Sequence, residues 1–228
     1  MTASGRLTQI DRSTLAAGMP GGGTVQEIID VAATAEAFAV TALGGALANA
    51  ASGKLALNAM QIRTFKAARA EEQAHYAFLT GAGARPLTTT FTVPDPKIVT
   101  DVPTFLMTVI ALEEAFIATY MAAAQEFALL GQPRLAQRAL QIGAVEAEHR
   151  AGVRAFAIEA RLISGTPNDV AFEKALFTSV GGAAAALKGL GFIGGSGTPV
   201  AYPGPGAIDG RNVINRRPDG PSANGARH

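Results

Sequence analysis

Two tetrapeptides decide the fold: Glu72-Gln73-Ala74-His75 and Glu146-Ala147-Glu148-His149. The chain has three histidines, and one of them is the terminal His228, so both internal histidines follow a glutamate by three positions. On an α-helix, residues i and i+3 share a face. Each tetrapeptide therefore aims one carboxylate and one imidazole at a common point.

Two further glutamates lie in unusually apolar surroundings. Between Val31 and Gly53, in VAATAEAFAVTALGGALANAASG, the sole ionisable side chain is Glu36. Between Val102 and Gln125, in VPTFLMTVIALEEAFIATYMAAAQ, the carboxylates are Glu113 and Glu114, with Tyr120 nearby. Helices this apolar are buried on most faces. A carboxylate inside one is costly unless it is paired, protonated or bound to metal. Two Glu-x-x-His helices, with one glutamate from each of two others, make the donor set of a dinuclear metal site in a four-helix bundle.

The spacing predicts long helices over residues 25–52, 54–81, 102–130 and 133–164. Gly53 breaks the first pair, and Gly131-Gln132-Pro133 breaks the second. Connections this short force antiparallel neighbours. Between the pairs runs AGARPLTTTFTVPDPKIVTD, with three prolines and a β-prone Thr/Phe/Val stretch. It is long enough to cross over along the side of a bundle. The predicted fold is all-α: an antiparallel four-helix bundle with one long crossover, a short C-terminal helix and an irregular tail.

Counting from the turns tests the register. Glu36 lies 17 residues before Gly53 and Glu72 lies 19 after it. At a rise of about 1.5 Å per residue, the two carboxylates reach nearly the same height. Glu114 lies 18 residues before Gln132 and Glu146 lies 14 after it, a mismatch of about 6 Å that turn geometry can absorb. Phe65, Ala68, Glu72, Tyr76 and Leu79 form one helical stripe with His75 at its border. Leu135, Ala139, Ile142, Glu146, Val153 and Ala157 form another, beside His149.

A gapless repeat, Glu36-Ala-Phe-Ala-Val-Thr41 against Glu114-Ala-Phe-Ile-Ala-Thr119, selects Glu114 over Glu113 as the partner of Glu36. Glu113 is left as an outer acceptor, an extra ligand or a helix-contact residue. Tyr76 and Tyr120 read as core residues with satisfied hydroxyls. Glu71 and Glu148 read as solvated or paired with arginines, and the basic residues of the second and fourth helices as a wet face.

Composition narrows the function. The chain has 228 residues, 48% apolar and 16% charged, with a formal charge of +1. That balance gives no reason to expect a nucleic-acid partner. With no cysteines, disulfides, thiolate catalysis, Fe–S clusters and Cys-ligated zinc are excluded. The start of the chain lacks a signal-peptide pattern, so a cytoplasmic protein is expected. Residues 31–51 are long enough to raise a membrane span. Glu36, Asn49 and the Gly44-Gly45 pair, without flanking anchors, favour a core helix instead, and no membrane partner is expected.

The organisation is read as an irregular arm (1–24), a bundle (25–164), a C-terminal helical extension (165–190) and a Gly/Pro-rich tail (191–228). Within the extension, VAFEKALFTSV (170–180) is the expected fifth helix, and VGGAAAALKGLGFIGG suits close packing. The tail is expected to lack regular structure. Apolar helix faces and this tail make a homo-oligomer the expected state.

The pattern Glu36, Glu72-x-x-His75, Glu114, Glu146-x-x-His149 resembles the ferritin-like superfamily over residues 25–164. The long apolar helices and extended C-terminal region look most like its desiccation-related group. The resemblance implies Glu36 and Glu114 as terminal ligands, Glu72 and Glu146 as bridges, and His75 and His149 as one-metal ligands. It implies two iron or manganese ions as cofactors, a donor set that suits those metals. Dioxygen or hydrogen peroxide is the expected small-molecule substrate, in ferroxidase, peroxidase or catalase-like stress chemistry. The alternatives are a non-catalytic stress or structural protein stapled by metal, and a bundle that binds none. A Cys-free chain departs from rubrerythrins, and the tail departs from storage ferritins.

Overall fold

The computed structural model describes residues 23–211 and 213–214. Nearly all of the expected N-terminal arm, the last part of the tail and His228 lie outside the described residues.

Helix α1 spans Val25–Ala51 and starts at a capping box between Thr24 and Glu27. Helix α2 spans Ala59–Gly81 and starts at a second box between Asn58 and Gln61. That cap explains why α2 begins five residues later than the predicted 54: Leu55 is buried in the turn instead. Helix α3 spans Val102–Leu129, capped by the Asp101 side chain on the Thr104 amide. Helix α4 spans Pro133–Glu159, with proline in its first turn where no amide partner is needed. Gly53 (φ 76°) and Gly131 (φ 69°) take the left-handed conformation that reverses the chain. Helix α4 stops short of the predicted 164 because Arg161 (φ 60°) turns left-handed there.

α1 packs along α2 and α3 along α4, with the crossover between the hairpins. The expected four-helix bundle with one long crossover is therefore present. The β-prone stretch of the crossover forms strand β1, Thr90–Val93. It pairs antiparallel with β2, Thr198–Ala201, in the register Phe91 to Val200. The tail is thus not wholly irregular: its strand satisfies the crossover backbone, and Tyr202 donates its amide to Thr89.

The fifth helix is also displaced. Helix α5 spans Val180–Gly189, burying Val180, Ala183 and Leu187. The expected segment 170–178 is non-helical because its charges are recruited by the bundle. Arg154 pairs with Asp169, Arg150 with Glu173 at 2.8 Å, and Lys174 with Glu114 at 2.9 Å. Arg150 is buried, so it belongs to this strap and not to a wet face. At its other end the strap leads into α5, where buried Glu126 accepts the amides of Val180 and Gly23.

α1 and α3 are each long and apolar enough to cross a membrane, yet both serve as core helices with much of their surface against protein. The core has two end layers. Ile28, Leu79, Phe127 and Ile142 belong to one, and Leu43, Phe65, Leu106 and Val153 to the other. Along all four bundle helices, the Glu and His positions fall between these layers. A third cluster, around Phe38, Phe91, Phe116 and Phe192, lies under the crossover.

Candidate metal centre

α2 and α4 each bring their Glu-x-x-His unit to mid-bundle. Glu72 and Glu146 are completely buried, and His75 and His149 turn Nδ1 inward. His75 Nδ1 lies 3.4 Å from Glu36, 3.5 Å from Glu72 and 3.2 Å from Glu146. His149 Nδ1 lies 3.2 Å from Glu72, 3.1 Å from Glu146 and 4.0 Å from Glu113. Donor atoms consequently form two groups. One is Glu36, Glu72, His75 and Glu146; the other is Glu72, Glu113, Glu146 and His149. Within each group the atoms lie within 4.8 Å of one another, and Glu72 and Glu146 belong to both.

α3 contributes Glu113, not Glu114. Leu106, Val109, Ile110, Glu113, Phe116, Ile117 and Tyr120 are the buried stripe of this helix. Glu114 is rotated about 100° from it and pairs with Lys174. The repeat that selected Glu114 aligned letters, whereas the packing stripe fixes which side chain enters the core.

Two more residues complete the surroundings. Tyr120 is buried and its hydroxyl donates to Glu36 Oε1, which places a residue read as ordinary core directly beside the donor cluster. Glu71 accepts from His149 Nε2 at 2.7 Å while about a third of its side chain stays exposed, so its ionic partner is a histidine and not an arginine. With Nε2 donating to a carboxylate, Nδ1 is the nitrogen left to ligate. Val145 stands at the corresponding place before Glu146, so His75 receives no such carboxylate from α4. Tyr76 lies outside the donor groups and packs against Tyr202, ring centres 4.7 Å apart.

Electrostatics reflect crowding of acids in a dry layer. Burial, then the Glu72 charge, pushes Glu36 up from 4.5 to about 8 against the pull of His75. Burial also drives Glu113 well above the carboxylate range, opposed by His149. For Glu72 burial raises and the Glu146 charge adds to it, but the adjacent imidazoles of His149 and His75 leave it below its ordinary value. Burial lowers both histidines, and the surrounding carboxylates more than reverse this. Tyr120 is pushed well up by burial and by Glu36.

Both oxygens of Glu72, one oxygen each of Glu36, Glu113 and Glu146, and Nδ1 of His75 are buried without a hydrogen-bond partner. Buried polar atoms are normally satisfied, and these converge on one another. Oxygen and imidazole donors are the set that suits iron or manganese, so the residues fit a metal centre.

Residues 24–159 match the family model of the ferritin-like domain. The chain belongs to this ferritin-like family. Among curated proteins and among solved structures, nothing matches it. The match ends at the last residue of α4, so the strap, α5 and the tail strand are additions beyond the matched region.

Proposed function

We propose that this ferritin-like protein holds two iron or manganese ions and carries out oxygen- or peroxide-linked redox chemistry. The observation that supports it is the pair of donor groups sharing Glu72 and Glu146. Glu36 and His75 would hold one ion, Glu113 and His149 the other, and Glu72 and Glu146, which belong to both groups, would serve both. Two such ions, each changing by one electron, supply the two electrons that dioxygen or peroxide takes up on reduction.

The chain's residues have separate tasks. Glu71 holds the His149 ring with Nδ1 inward. Tyr120 orients Glu36 and keeps a proton at its hydroxyl oxygen. The apolar layers above and below exclude water, and four carboxylates offset the charge of two divalent ions. Exposed Met107, Leu140 and Phe172 support self-association. We read the chain as a cytoplasmic homo-oligomer of the desiccation-related kind, acting in stress protection.

A structural staple is the second reading, favoured by the complete burial of Glu72 and Glu146. Elemental analysis of freshly purified protein beside a Glu72→Ala/His75→Ala variant tests the centre. About two ions per chain, lost in the variant, is the expected result; no metal even after anaerobic loading overturns it. Consumption of peroxide or oxygen by the loaded protein then separates enzyme from staple, which would lose thermal stability on chelation and show no turnover.

A further inference from the structure

The donor groups are not sealed on every side. A cavity of about 480 Å³ lies beneath the crossover, between α1 and α3, and Glu113 is part of its wall. It follows α1 from Ala39 to Ala48, roughly 14 Å of helix. At its turn end stands Lys54, which is exposed. A second cavity of about 460 Å³ adjoins it across Leu112 and Phe116. Both volumes lie in the range of small-molecule sites, roughly 300–1,000 Å³.

Three observations give this space a chemical character. Glu113 and Lys54 are the sole ionisable side chains in a lining otherwise dominated by apolar groups. Glu113 Oε2 is buried and has no hydrogen-bond partner. Gly45, inside α1, borders the cavity, and a Cβ there would meet nothing within 4 Å. Glycine in a helix interior costs about 0.5–1 kcal/mol relative to alanine. Its neighbour Gly44 has a packing reason, since a Cβ would come within 2.8 Å of the Arg69 guanidinium. Among the described residues no protein contact accounts for Gly45; what its missing side chain preserves is room.

We propose that this cavity binds an alkyl carboxylate, its chain lying along α1 toward Glu113 and its head group at Lys54. The apolar wall matches the chain, the ammonium matches the carboxylate, and the inner end of the chain reaches the edge of the donor cluster. A substrate role for this molecule rests on the metal-centre reading; its binding does not.

The test uses the full-length protein stripped of metal by chelation, titrated calorimetrically with dodecanoate and with dodecan-1-ol. Saturable binding of one dodecanoate per chain is expected. Gly45→Phe fills the cavity and removes a helix glycine, so it should weaken binding about tenfold or more with its melting temperature unchanged or raised. Ala42→Phe, on the same wall, provides a second filling variant should the first fold poorly. Lys54→Met should weaken dodecanoate roughly threefold to fivefold, the scale of an exposed charge pair, and leave the alcohol unaffected.

Absence of saturable binding overturns the proposal, as does a folded filling variant that binds like the parent. A dimer that Gly45→Phe dissociates, without dodecanoate binding, overturns it in favour of a face between copies. Metal content measured on the unstripped protein keeps the two claims apart. Chains that take up no metal even after anaerobic loading yet bind dodecanoate support the cavity and refute the centre.

Discussion

Replacing Glu71 by alanine should damage one half of the centre and spare the other. Glu71 accepts from Nε2 of His149 at 2.7 Å and belongs to neither donor group. His149 belongs to the group with Glu113, whereas the other group uses His75. Removing Glu71 leaves the imidazole free to place its proton on Nδ1, the nitrogen needed as a ligand. Loss of a partner that orients a ligating histidine costs about 10–100-fold in metal affinity. Because Glu72 and Glu146 remain shared, the Glu36–His75 position should retain most of its affinity. Anaerobic titration with Fe(II) or Mn(II) should therefore change from two tight equivalents to one tight and one weakened. Glu71→Gln keeps an oxygen for Nε2–H and should fall between the two. Equal weakening of both equivalents, or none in either, would refute the assignment of Glu71 to one histidine.

Other expectations follow from the same geometry. Glu113→Ala should lower metal content toward one ion per chain, while Glu114→Ala should leave it unchanged; elemental analysis decides between them. Metal uptake must displace the proton that Glu36 holds below about 8. Apparent affinity should therefore rise by about tenfold or more per pH unit from 6 to 8, with proton release seen in a weakly buffered titration. In metal-free protein that same proton stabilises the fold: its contribution is complete below 4.5 and disappears as pH rises through about 8. Thermal melts of chelated protein should accordingly fall across this window, and a melting temperature rising from pH 5 to 8 would contradict it. Glu173→Ala leaves the buried Arg150 guanidinium without its carboxylate, and denaturant unfolding should show a loss of about 1.5–3 kcal/mol.

The bundle was legible because its signals are local and repeated. Glycine turns, capping residues and apolar periodicity fix four helices, and nearly equal counts from the turns place Glu36 opposite Glu72. Glu113 was legible in principle, since the stripe through Leu106, Val109, Ile110, Phe116 and Tyr120 passes through it. The repeat overrode that stripe by matching neighbours instead of faces. Glu71 was not legible. Its partner lies 78 positions away, and only the packed bundle shows that it reaches across to His149. The C-terminal elements failed for related reasons. Glu173 and Lys174 read as surface charges of a helix, but they answer Arg150 and Glu114 on two different helices, which an extended strap can reach. Pro199 disguised β2, and a two-stranded ribbon tolerates proline because each strand has a free edge.

The donors obey an approximate two-fold symmetry that their surroundings do not share. Glu36 faces Tyr120, a buried hydroxyl that holds one oxygen in place. Glu113, its counterpart, faces an apolar cavity and keeps an oxygen unpaired. His149 is braced by Glu71, while Val145 stands where a brace for His75 would be. The braced histidine and the open carboxylate lie in the same donor group. In the other group the outside hydrogen bond falls on Glu36, from Tyr120, and His75, the more exposed of the two histidines, faces Glu36, Glu72 and Glu146 through Nδ1. Hydrogen bonding from outside the donor groups therefore braces a histidine in one group and a carboxylate in the other.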